Sequence, residues 1–202
     1  MAVPTTDGLD TVRSRRGGRS ARVRHAVLTA AIDELVECGY ENLSHLAVAR
    51  IAGVDPATVY RRWPTRARLA VDAIVELATE AVPIPDTGTV RGDLTALHRA
   101  VSSVLRNPRL LRLFQAVSAA AFERDPEVTD AVRAFWRQRF DGAAVILTRA
   151  VERGEIPPQS DPQAVIEQLV APAYFRALVT KQPLDARLTE TSVERALTLA
   201  RG

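Results

Sequence analysis

The apolar residues of the chain recur with a helical period over nearly its whole length. Leu28, Ala31, Ile32, Leu35 and Val36 occupy positions i, i+3, i+4, i+7 and i+8, a spacing that puts them on one face of a helix. No stretch alternates apolar and polar residues with the period of a strand. The pattern therefore predicts an all-α protein.

Capping residues and turn formers divide the next part of the chain into two short helices. Ser44 can cap a helix that reaches Ala52, and Gly53 then turns the chain. Asp55 and the proline after it start a second helix, because proline lacks only an N–H group that the first turn leaves unused. This second helix is expected to end near Trp63, which precedes another proline.

Prolines also mark the boundary between two modules. The segment Val82–Gly88 contains two prolines and separates the short helices from longer apolar ones. We expect residues 1–20 to form a disordered basic arm, residues 21–68 a module of short helices with a linking helix to about residue 82, and residues 83–202 a helical bundle. Pro172 is expected to interrupt the penultimate helix of this bundle.

The positive charge of the chain is concentrated at its N-terminal end. The protein carries 27 Lys+Arg and 24 Asp+Glu, a formal net charge of +3. Residues 1–68 hold 11 Lys+Arg against 7 Asp+Glu, whereas residues 69–202 hold 16 against 17. Six arginines and no acid lie between Arg13 and Arg24. This distribution indicates a polyanionic partner for the N-terminal end, although a solvated arm with no specific partner would have the same composition.

Several classes of protein do not fit this sequence. The longest apolar run, Ala143–Leu147, is far shorter than the ~20 residues that a membrane-spanning helix needs. The single Cys38 allows no internal disulfide and fits a reducing, cytoplasmic setting, and no secretory signal is visible. His25, His45 and His98 lie on separate predicted helices, and no metal-binding, nucleophile or phosphate-loop motif is present. We therefore expect no catalytic residues, no metal ion, no cofactor and no membrane partner.

The two short helices have the arrangement of a helix-turn-helix. The second helix can enter the major groove of DNA, whose width of ~12 Å matches an α-helix. Val59 and Trp63 are predicted to face inward, because residues four apart share one face. The outward face of this helix carries Thr58, Arg61 and Arg62, and Tyr60 lies at the edge of that face. Hydroxyl, phenol and guanidinium groups can bind phosphates, and arginine can also bind both acceptors of guanine.

On these residues the chain resembles the TetR family of bacterial transcription repressors. The resemblance extends over about 40 residues, in the family's order and spacing: Leu28–Tyr40, Leu43-Ser44, Ala52-Gly53-Val54, Ala57–Arg66 and Leu69. Residues 171–184 are more loosely similar to the penultimate helix of one C-terminal subgroup. The resemblance implies an N-terminal three-helix DNA-binding domain joined to a C-terminal bundle that binds an effector and dimerises.

The resemblance also implies which residues contact DNA. They are Ser44, His45, Pro56, Ala57, Thr58, Tyr60, Arg61, Arg62 and Arg66. Ser44 and His45 would contact phosphate at a helix N-terminus, and the two adjacent arginines would contact bases or backbone. Arg66 stands where the family usually has a phosphate-binding lysine, and Leu46 where its residue is often polar. Further minor-groove or phosphate contacts are expected from four arginines of the arm, Arg13, Arg15, Arg16 and Arg19.

In the second module the resemblance implies dimerisation through the last two helices. The candidate interface residues are Val165, Leu169, Ala173, Val193 and Leu197, although core residues would show the same pattern. The candidate residues of a ligand pocket are Leu97, Val101, Phe114, Val117, Trp136, Phe140 and Tyr174. Few charged groups lie among these aromatic residues, so the ligand is expected to be mostly apolar or aromatic.

The sequence thus predicts a transcriptional regulator that binds double-stranded DNA as a homodimer. The leading hypothesis is a repressor that a small, mostly apolar or aromatic ligand releases from a palindromic operator. The alternative is a helical small-molecule-binding or adaptor protein without DNA-binding activity.

Overall fold

In a computed structural model of the protein, which describes residues 9–122 and 126–202, every regular element is helical. The helices are α1 (Leu9–Cys38), α2 (His45–Ala52), α3 (Pro56–Arg62), α4 (Arg66–Ala81), α5 (Val90–Arg106), α6 (Pro108–Phe122), α7 (Pro126–Glu152), α8 (Pro162–Phe175) and α9 (Ala186–Arg201). The all-α prediction is therefore confirmed. Within the described ranges, no helix combines the length and the apolar content that a membrane span requires.

α1 extends further toward the N-terminus than the sequence pattern predicts. Its first residue is Leu9, so residues 9–20 are helical where the composition predicted a disordered arm. Arginine is a good helix former, and no proline interrupts this part of the chain. Residues 1–8 lie outside the described residues.

Local capping positions α2 and α3 as the sequence predicts. Ser44 Oγ accepts a hydrogen bond from the amide of Ala47 at 3.4 Å, and Asp55 Oδ1 accepts one from the amide of Ala57 at 2.7 Å. Gly53 ends α2 with a φ of +65°, a left-handed conformation that costs glycine far less than a residue with a Cβ atom. These caps fix both ends of the turn between the two short helices.

The core of the first unit lies between α1, α2, α3 and the start of α4. Val59 and Trp63 are buried in it together with Leu28 and Leu35 of α1. The indole Nε1 of Trp63 donates a hydrogen bond to Asp72 Oδ2 at 2.9 Å, so the polar edge of this buried ring has a partner. The predicted inward face of α3 is therefore confirmed.

The division between the two units falls inside α4, after Ala73. The sequence pattern predicts the module boundary near the segment Val82–Gly88, which contains two prolines and follows the helix. Helix ends and packing boundaries need not coincide, because one continuous helix can contribute its first turns to one core and its last turns to another. Leu69 of α4 is buried in the first unit, whereas Ala78 belongs to the second.

The second unit has its own apolar core. α8 packs against α9, and α5 packs against both of them and against α6 and α7. The most deeply buried large side chains of this core are Leu94, Ile146, Leu147, Leu169 and Leu197. They come from four helices, so the bundle closes around residues that are far apart in the sequence.

Two arginines of α7 hold the segment between α4 and α5. Arg139 Nη2 donates a hydrogen bond to the carbonyl oxygen of Val82 at 2.9 Å, and Arg149 Nη1 donates one to the carbonyl oxygen of Pro85 at 3.2 Å. The segment contains two prolines and is not helical, so its carbonyls have no helical donors. The guanidinium groups supply donors in their place.

A buried carboxylate fixes the start of α5. Asp93 has no exposed surface, and its Oδ1 accepts hydrogen bonds from the amide and the hydroxyl of Thr87 at 2.5 and 2.8 Å. Nη2 of Arg153, the residue directly after α7, lies 3.7 Å from Asp93 Oδ2. Gly92 leaves room for the Thr87 side chain beside Asp93, because a Cβ atom at position 92 would lie 2.2 Å from Thr87 Oγ1.

α8 continues through Pro172 and changes geometry one turn later. A π-helical turn covers Arg176–Thr180, and Lys181 ends it with a φ of +54°. The Nζ of Lys181 donates a hydrogen bond to the carbonyl oxygen of Ala177 at 3.0 Å. The interruption predicted at Pro172 therefore lies at the end of this helix.

A buried imidazole connects α5 to α9. His98 has no exposed surface, and its Nδ1 lies 3.0 Å from Thr189 Oγ1 and 3.4 Å from Ser102 Oγ. Its Nε2 has no hydrogen-bond partner among the described residues. Burial lowers the pKa of His98 from its usual 6.5 to about 4, because the charged form would lose its hydration.

This burial predicts an acid-sensitive stability. The unfolded chain binds a proton at residue 98 below pH 6.5, whereas the folded chain resists it until about pH 4. The stabilisation is therefore fully present above pH 6.5 and is lost as the pH falls toward 4. Between pH 7.5 and 4, the free energy of unfolding of the wild type should fall by about 3 kcal/mol more than that of His98→Asn.

Urea denaturation across this pH range measures the difference. His25→Asn, which replaces an exposed imidazole of α1, is the matched control. Parallel pH curves for the wild type and His98→Asn would contradict the prediction.

Candidate nucleic-acid interface and ligand cavity

α3 presents a basic, hydrogen-bonding face to its surroundings. Its exposed residues are Pro56, Ala57, Tyr60, Arg61 and Arg62, and Thr58 is partly buried. Val59 faces the core and has no exposed surface. Since α3 has only seven residues, almost every side chain outside the core is available to a partner.

The three arginines in and after α3 differ in what they contact. Arg62 Nη1 donates hydrogen bonds to the carbonyl oxygen and the hydroxyl of Ser20 at 3.4 and 3.3 Å. Arg66 Nη1 donates one to the carbonyl oxygen of Glu41 at 2.5 Å and lies 3.7 Å from its carboxylate. Arg61 is exposed and, as far as the described part of the chain extends, makes no such contact. Its guanidinium is therefore available for a bidentate contact with a partner.

The structure corrects the role expected for His45. The resemblance implied that this side chain contacts phosphate, but it is only 8% exposed. Its Nε2 lies 2.8 Å from the carbonyl oxygen of Trp63 and donates a hydrogen bond to it, which sets the tautomer. Its ring stacks on Tyr60, with centroids 4.6 Å apart and planes 9° from parallel. His45 therefore positions Tyr60, which is 46% exposed.

The start of α2 has one polar and one apolar residue at its surface. Ser44 is partly buried, and its hydroxyl serves as the cap of α2. Leu46 is 59% exposed, so α2 presents an apolar side chain where the family often has a polar one. A protein–DNA contact at this position would have to be apolar.

The side chains of the four arm arginines lie outside what the structure describes. The side chains of Arg13, Arg15, Arg16 and Arg19 are not among the described ones, so their expected DNA contacts stay predictions. The following part of the same helix lies beside α3, because Ser20 accepts the hydrogen bonds from Arg62. This contact places the described end of the arm near the last turn of α3.

A cavity of about 50 Å³ lies within the second unit. Its wall contains six of the seven residues predicted for a ligand pocket: Leu97, Val101, Phe114, Trp136, Phe140 and Tyr174. The side chain of the seventh, Val117, lies outside the described residues. A volume of this size holds on the order of three or four water molecules, so a larger ligand has to displace parts of the wall.

Edge-to-face contacts connect the aromatic side chains of this wall. Trp136 meets Phe135 with centroids 5.1 Å apart and Tyr174 with centroids 5.3 Å apart. Tyr174 in turn meets Phe114 at 5.8 Å. The ring planes lie 73–79° apart, which is a favourable arrangement for aromatic pairs. Together the rings form a continuous apolar surface.

Sequence reasoning missed the charged residue of the cavity. Arg139 lines the wall together with Phe140 and Tyr174. Burial lowers the pKa of Arg139, and the Tyr174 phenol partly opposes that change. Arginine nevertheless stays protonated in proteins. The signal was available, because Arg139 lies three residues after Trp136 and therefore on the same helix face.

The structure also corrects the residues predicted for the dimer interface. Val165, Leu169, Ala173, Val193 and Leu197 are all at most 2% exposed within a single chain. A side chain that its own chain already covers cannot form the contact surface of a second copy. These residues belong to the core of the second unit. Core positions are the other interpretation that the sequence pattern allows.

The last part of the chain exposes a different set of apolar side chains. Phe175 at the end of α8, Val179 in the π-helical turn and Leu199 on α9 are 58%, 65% and 47% exposed. Ala171, one turn before Phe175, is also exposed. Where exposed apolar side chains form a contiguous patch, the patch is typical of an interaction surface.

Comparison with known families matches both units. Residues 27–73 match the model of "Bacterial regulatory proteins, tetR family", and residues 84–196 match that of "Tetracyclin repressor-like, C-terminal domain". The second match alone covers more than half of the chain.

Individual relatives agree with these matches. The HTH-type transcriptional regulator AqdR of Rhodococcus erythropolis is 39% identical over 151 residues, which are 73% of this chain and 70% of that protein. The DNA-binding transcriptional repressor TetR of Mycobacteroides abscessus is 32% identical over 171 residues, 79% and 84% of the two chains. The crystal structure of the TetR family transcription regulator SCO0332 has a TM-score of 0.75 at 33% identity, and the match covers 87% of this chain and 97% of that one.

These matches cover the helix-turn-helix and the helical bundle alike, and they agree with the exposed basic face of α3. The chain belongs to the TetR family of bacterial regulatory proteins and is a helix-turn-helix, DNA-binding transcriptional regulator, not an enzyme.

Proposed function

We propose that this regulator is a repressor that binds a palindromic operator as a homodimer and leaves it when a small, mostly apolar or aromatic ligand enters the cavity of the second unit. The observation that carries the DNA-binding part is the exposed face of α3, with Arg61 unpaired among the described residues. An arginine held by its own protein must break those contacts to reach a base, whereas Arg61 has none to break.

α3 is the recognition helix, and its side chains differ in whether they contact bases or the DNA backbone. Arg61 reads bases in the major groove, where arginine can donate to two guanine acceptors at once. Tyr60 and Thr58 contact the DNA backbone, and the exposed Pro56 and Ala57 let the start of α3 approach the groove closely. Arg62, Arg66 and the α2 N-terminus at Ser44 contribute phosphate contacts that set the register of α3 on the DNA.

A second copy of the chain covers the exposed apolar side chains of the last two helices. Phe175 and Leu199 lie on α8 and α9, the two helices through which the family resemblance implies dimerisation. Two copies related by a twofold axis can place two recognition helices ~34 Å apart, one turn of DNA, and so read the two halves of a palindrome.

Ligand control follows from the size of the cavity. A ligand larger than the 50 Å³ of available space binds better to a widened bundle than to the one described, and such a difference in affinity shifts the conformational equilibrium. The shift changes the distance between the two recognition helices of the dimer, so that both no longer fit successive grooves. A ligand with equal affinity for both forms would have no effect.

Arg61→Ala tests the recognition surface. It should weaken binding to an operator selected from a random DNA library by about 1–3 kcal/mol, and it should relax the preference at one base pair of each half-site. Fluorescence anisotropy with labelled duplexes measures both effects. Arg137→Ala, which removes an exposed arginine of α7, is the control. Equal operator affinity for Arg61→Ala and the wild type would show that the assigned surface is wrong.

The arm arginines should act through salt-dependent binding to phosphates. Replacing Arg13, Arg15, Arg16 and Arg19 by glutamine keeps a helix-forming side chain but removes four charges. The slope of log affinity against log salt should become less steep by about 0.9 for each phosphate that the arm no longer neutralises, with little change in sequence preference. Titrations at several salt concentrations give the slope. An unchanged slope would mean that the arm does not contact DNA.

Phe175→Asp tests the dimer surface. A carboxylate placed at an apolar interface loses its hydration, so the dimer dissociation constant should rise at least about tenfold, and operator affinity should fall with it. Sedimentation equilibrium measures the association. Val145→Asp, at an exposed apolar position of α7, is the matched control. A dimer of Phe175→Asp as tight as that of the wild type would place the interface elsewhere.

A further inference from the structure

One of the described residues that line the cavity of the second unit, Arg139, carries a charge. Arg139 lies among Phe140, Trp136 and Tyr174, where a guanidinium is poorly hydrated. No ion pair connects Arg139 to a carboxylate of any described residue. Arg149 in the same helix and Arg153 directly after it both form such ion pairs. Arg139 is partly buried, and a partly desolvated charge without a counter-charge is unfavourable, so this position favours an anion.

Among the described residues, Arg139 makes one hydrogen bond, which leaves most of its donors unused. Its Nη2 donates to the carbonyl oxygen of Val82 at 2.9 Å, and a guanidinium has five N–H donors in a planar fork. The contact with Val82 restricts the orientation of the guanidinium, and Arg139 lines the cavity. A ligand oxygen that approaches from the cavity meets donors that are already oriented.

Tyr174 adds a second donor on the same wall. Burial raises the pKa of its phenol well above the usual 10.0, and positive Arg139 partly opposes that change. The phenol therefore keeps its proton at neutral pH. A neutral O–H and a cationic N–H that lie in one apolar cavity can both donate to the oxygens of an acid, but they offer a cationic ligand no counter-charge.

We propose that the effector is an organic acid with an aromatic body, whose carboxylate accepts hydrogen bonds from Arg139 and Tyr174 while its rings pack against Trp136 and Phe114. This inference rests on the proposed function, since it takes the cavity as the effector site, and it names the chemical class that the site selects. It adds a charged head group to the mostly apolar ligand expected from the sequence. Bidentate pairing of arginine with a carboxylate gives both affinity and orientation.

The same contact gives the ligand a route to α4. Val82 directly follows the last residue of α4, and its amide still donates to the carbonyl oxygen of Ala78 at 3.0 Å. A carboxylate that binds the unused donors of Arg139 and draws its guanidinium toward the cavity lengthens the hydrogen bond from Nη2 to the carbonyl oxygen of Val82. The acid therefore loosens the contact that holds the end of α4 to α7, whereas a neutral analogue of the same shape does not.

Matched pairs of small probes test the head-group preference. Phenylacetate, cinnamate and 2-naphthoate are each compared with the corresponding primary alcohol and primary amine, and binding to the DNA-free full-length protein is measured by calorimetry. The wild type should bind the best acid at least about tenfold more tightly than its alcohol, because hydrogen bonds to charged groups are the stronger ones. The amine should bind more weakly than either.

Variants of the wall assign that preference to Arg139. Arg139→Gln keeps a donor for the carbonyl oxygen of Val82 but removes the charge, so the ratio of acid to alcohol affinity should fall to about one. Arg139→Lys should retain part of the ratio, and Tyr174→Phe should lower it less than Arg139→Gln does. Arg137→Gln, at an exposed position of the same helix, should leave the ratio unchanged. Calorimetric unfolding of each variant verifies that it is folded.

The outcomes separate this inference from the proposed function. Acids and alcohols that bind equally to the wild type, or an acid preference that survives in Arg139→Gln, would overturn the head-group assignment and leave the cavity as an apolar ligand site. Failure of every probe to bind would count against the cavity as an effector site and so against both. Release of the operator by a bound acid, measured separately, bears on the proposed function alone.

Discussion

Three arginines in and just after α7 stabilise the second unit, because they contact polar groups of the segment between α4 and α5 and of the start of α5. The segment between α4 and α5 contains prolines and cannot satisfy its own carbonyls. Arg139 and Arg149 donate to two of those carbonyls, and Arg153 reaches the buried carboxylate of Asp93 at the start of α5. The end of α4, the start of α5 and one wall of the cavity all depend on these contacts. A change at α7 therefore reaches all three together.

The DNA-binding unit uses the same principle with other groups. The carbonyl oxygen of Trp63, at the end of α3, accepts a hydrogen bond from His45, and the ring of His45 supports Tyr60. The indole of Trp63 is anchored in turn by Asp72. A short helix has too few internal hydrogen bonds to fix its own end, so side chains from α2 and α4 do so. The exposed residues of α3 are thus held by buried ones.

Local chemistry made most of the fold predictable, and contacts between distant residues account for what was missed. The caps at Ser44 and Asp55 and the turn at Gly53 act within a few residues, so the sequence contains the whole signal. The burial of His45 depends on Trp63, 18 residues away, and the choice between core and interface for Val165 depends on α9. An apolar stripe shows that a residue is buried, but not whether its own chain or a second copy covers it. Arg139 was missed because a lone arginine on an apolar face reads as a solvated charge until its neighbours are known.

The small volume of the cavity affects the ligand concentration at which the regulator would respond. If only a fraction of molecules has the widened bundle at any moment, the apparent dissociation constant of the ligand exceeds the intrinsic one by the inverse of that fraction. If about one molecule in a hundred has the widened bundle, the protein would need about a hundredfold more ligand for half-saturation than one with a preformed pocket and the same contacts. Tight packing among Phe114, Trp136 and Tyr174 would thus set the threshold of the switch. Under the proposed mechanism, substitutions that loosen or tighten this packing would change the ligand concentration at which the operator is released.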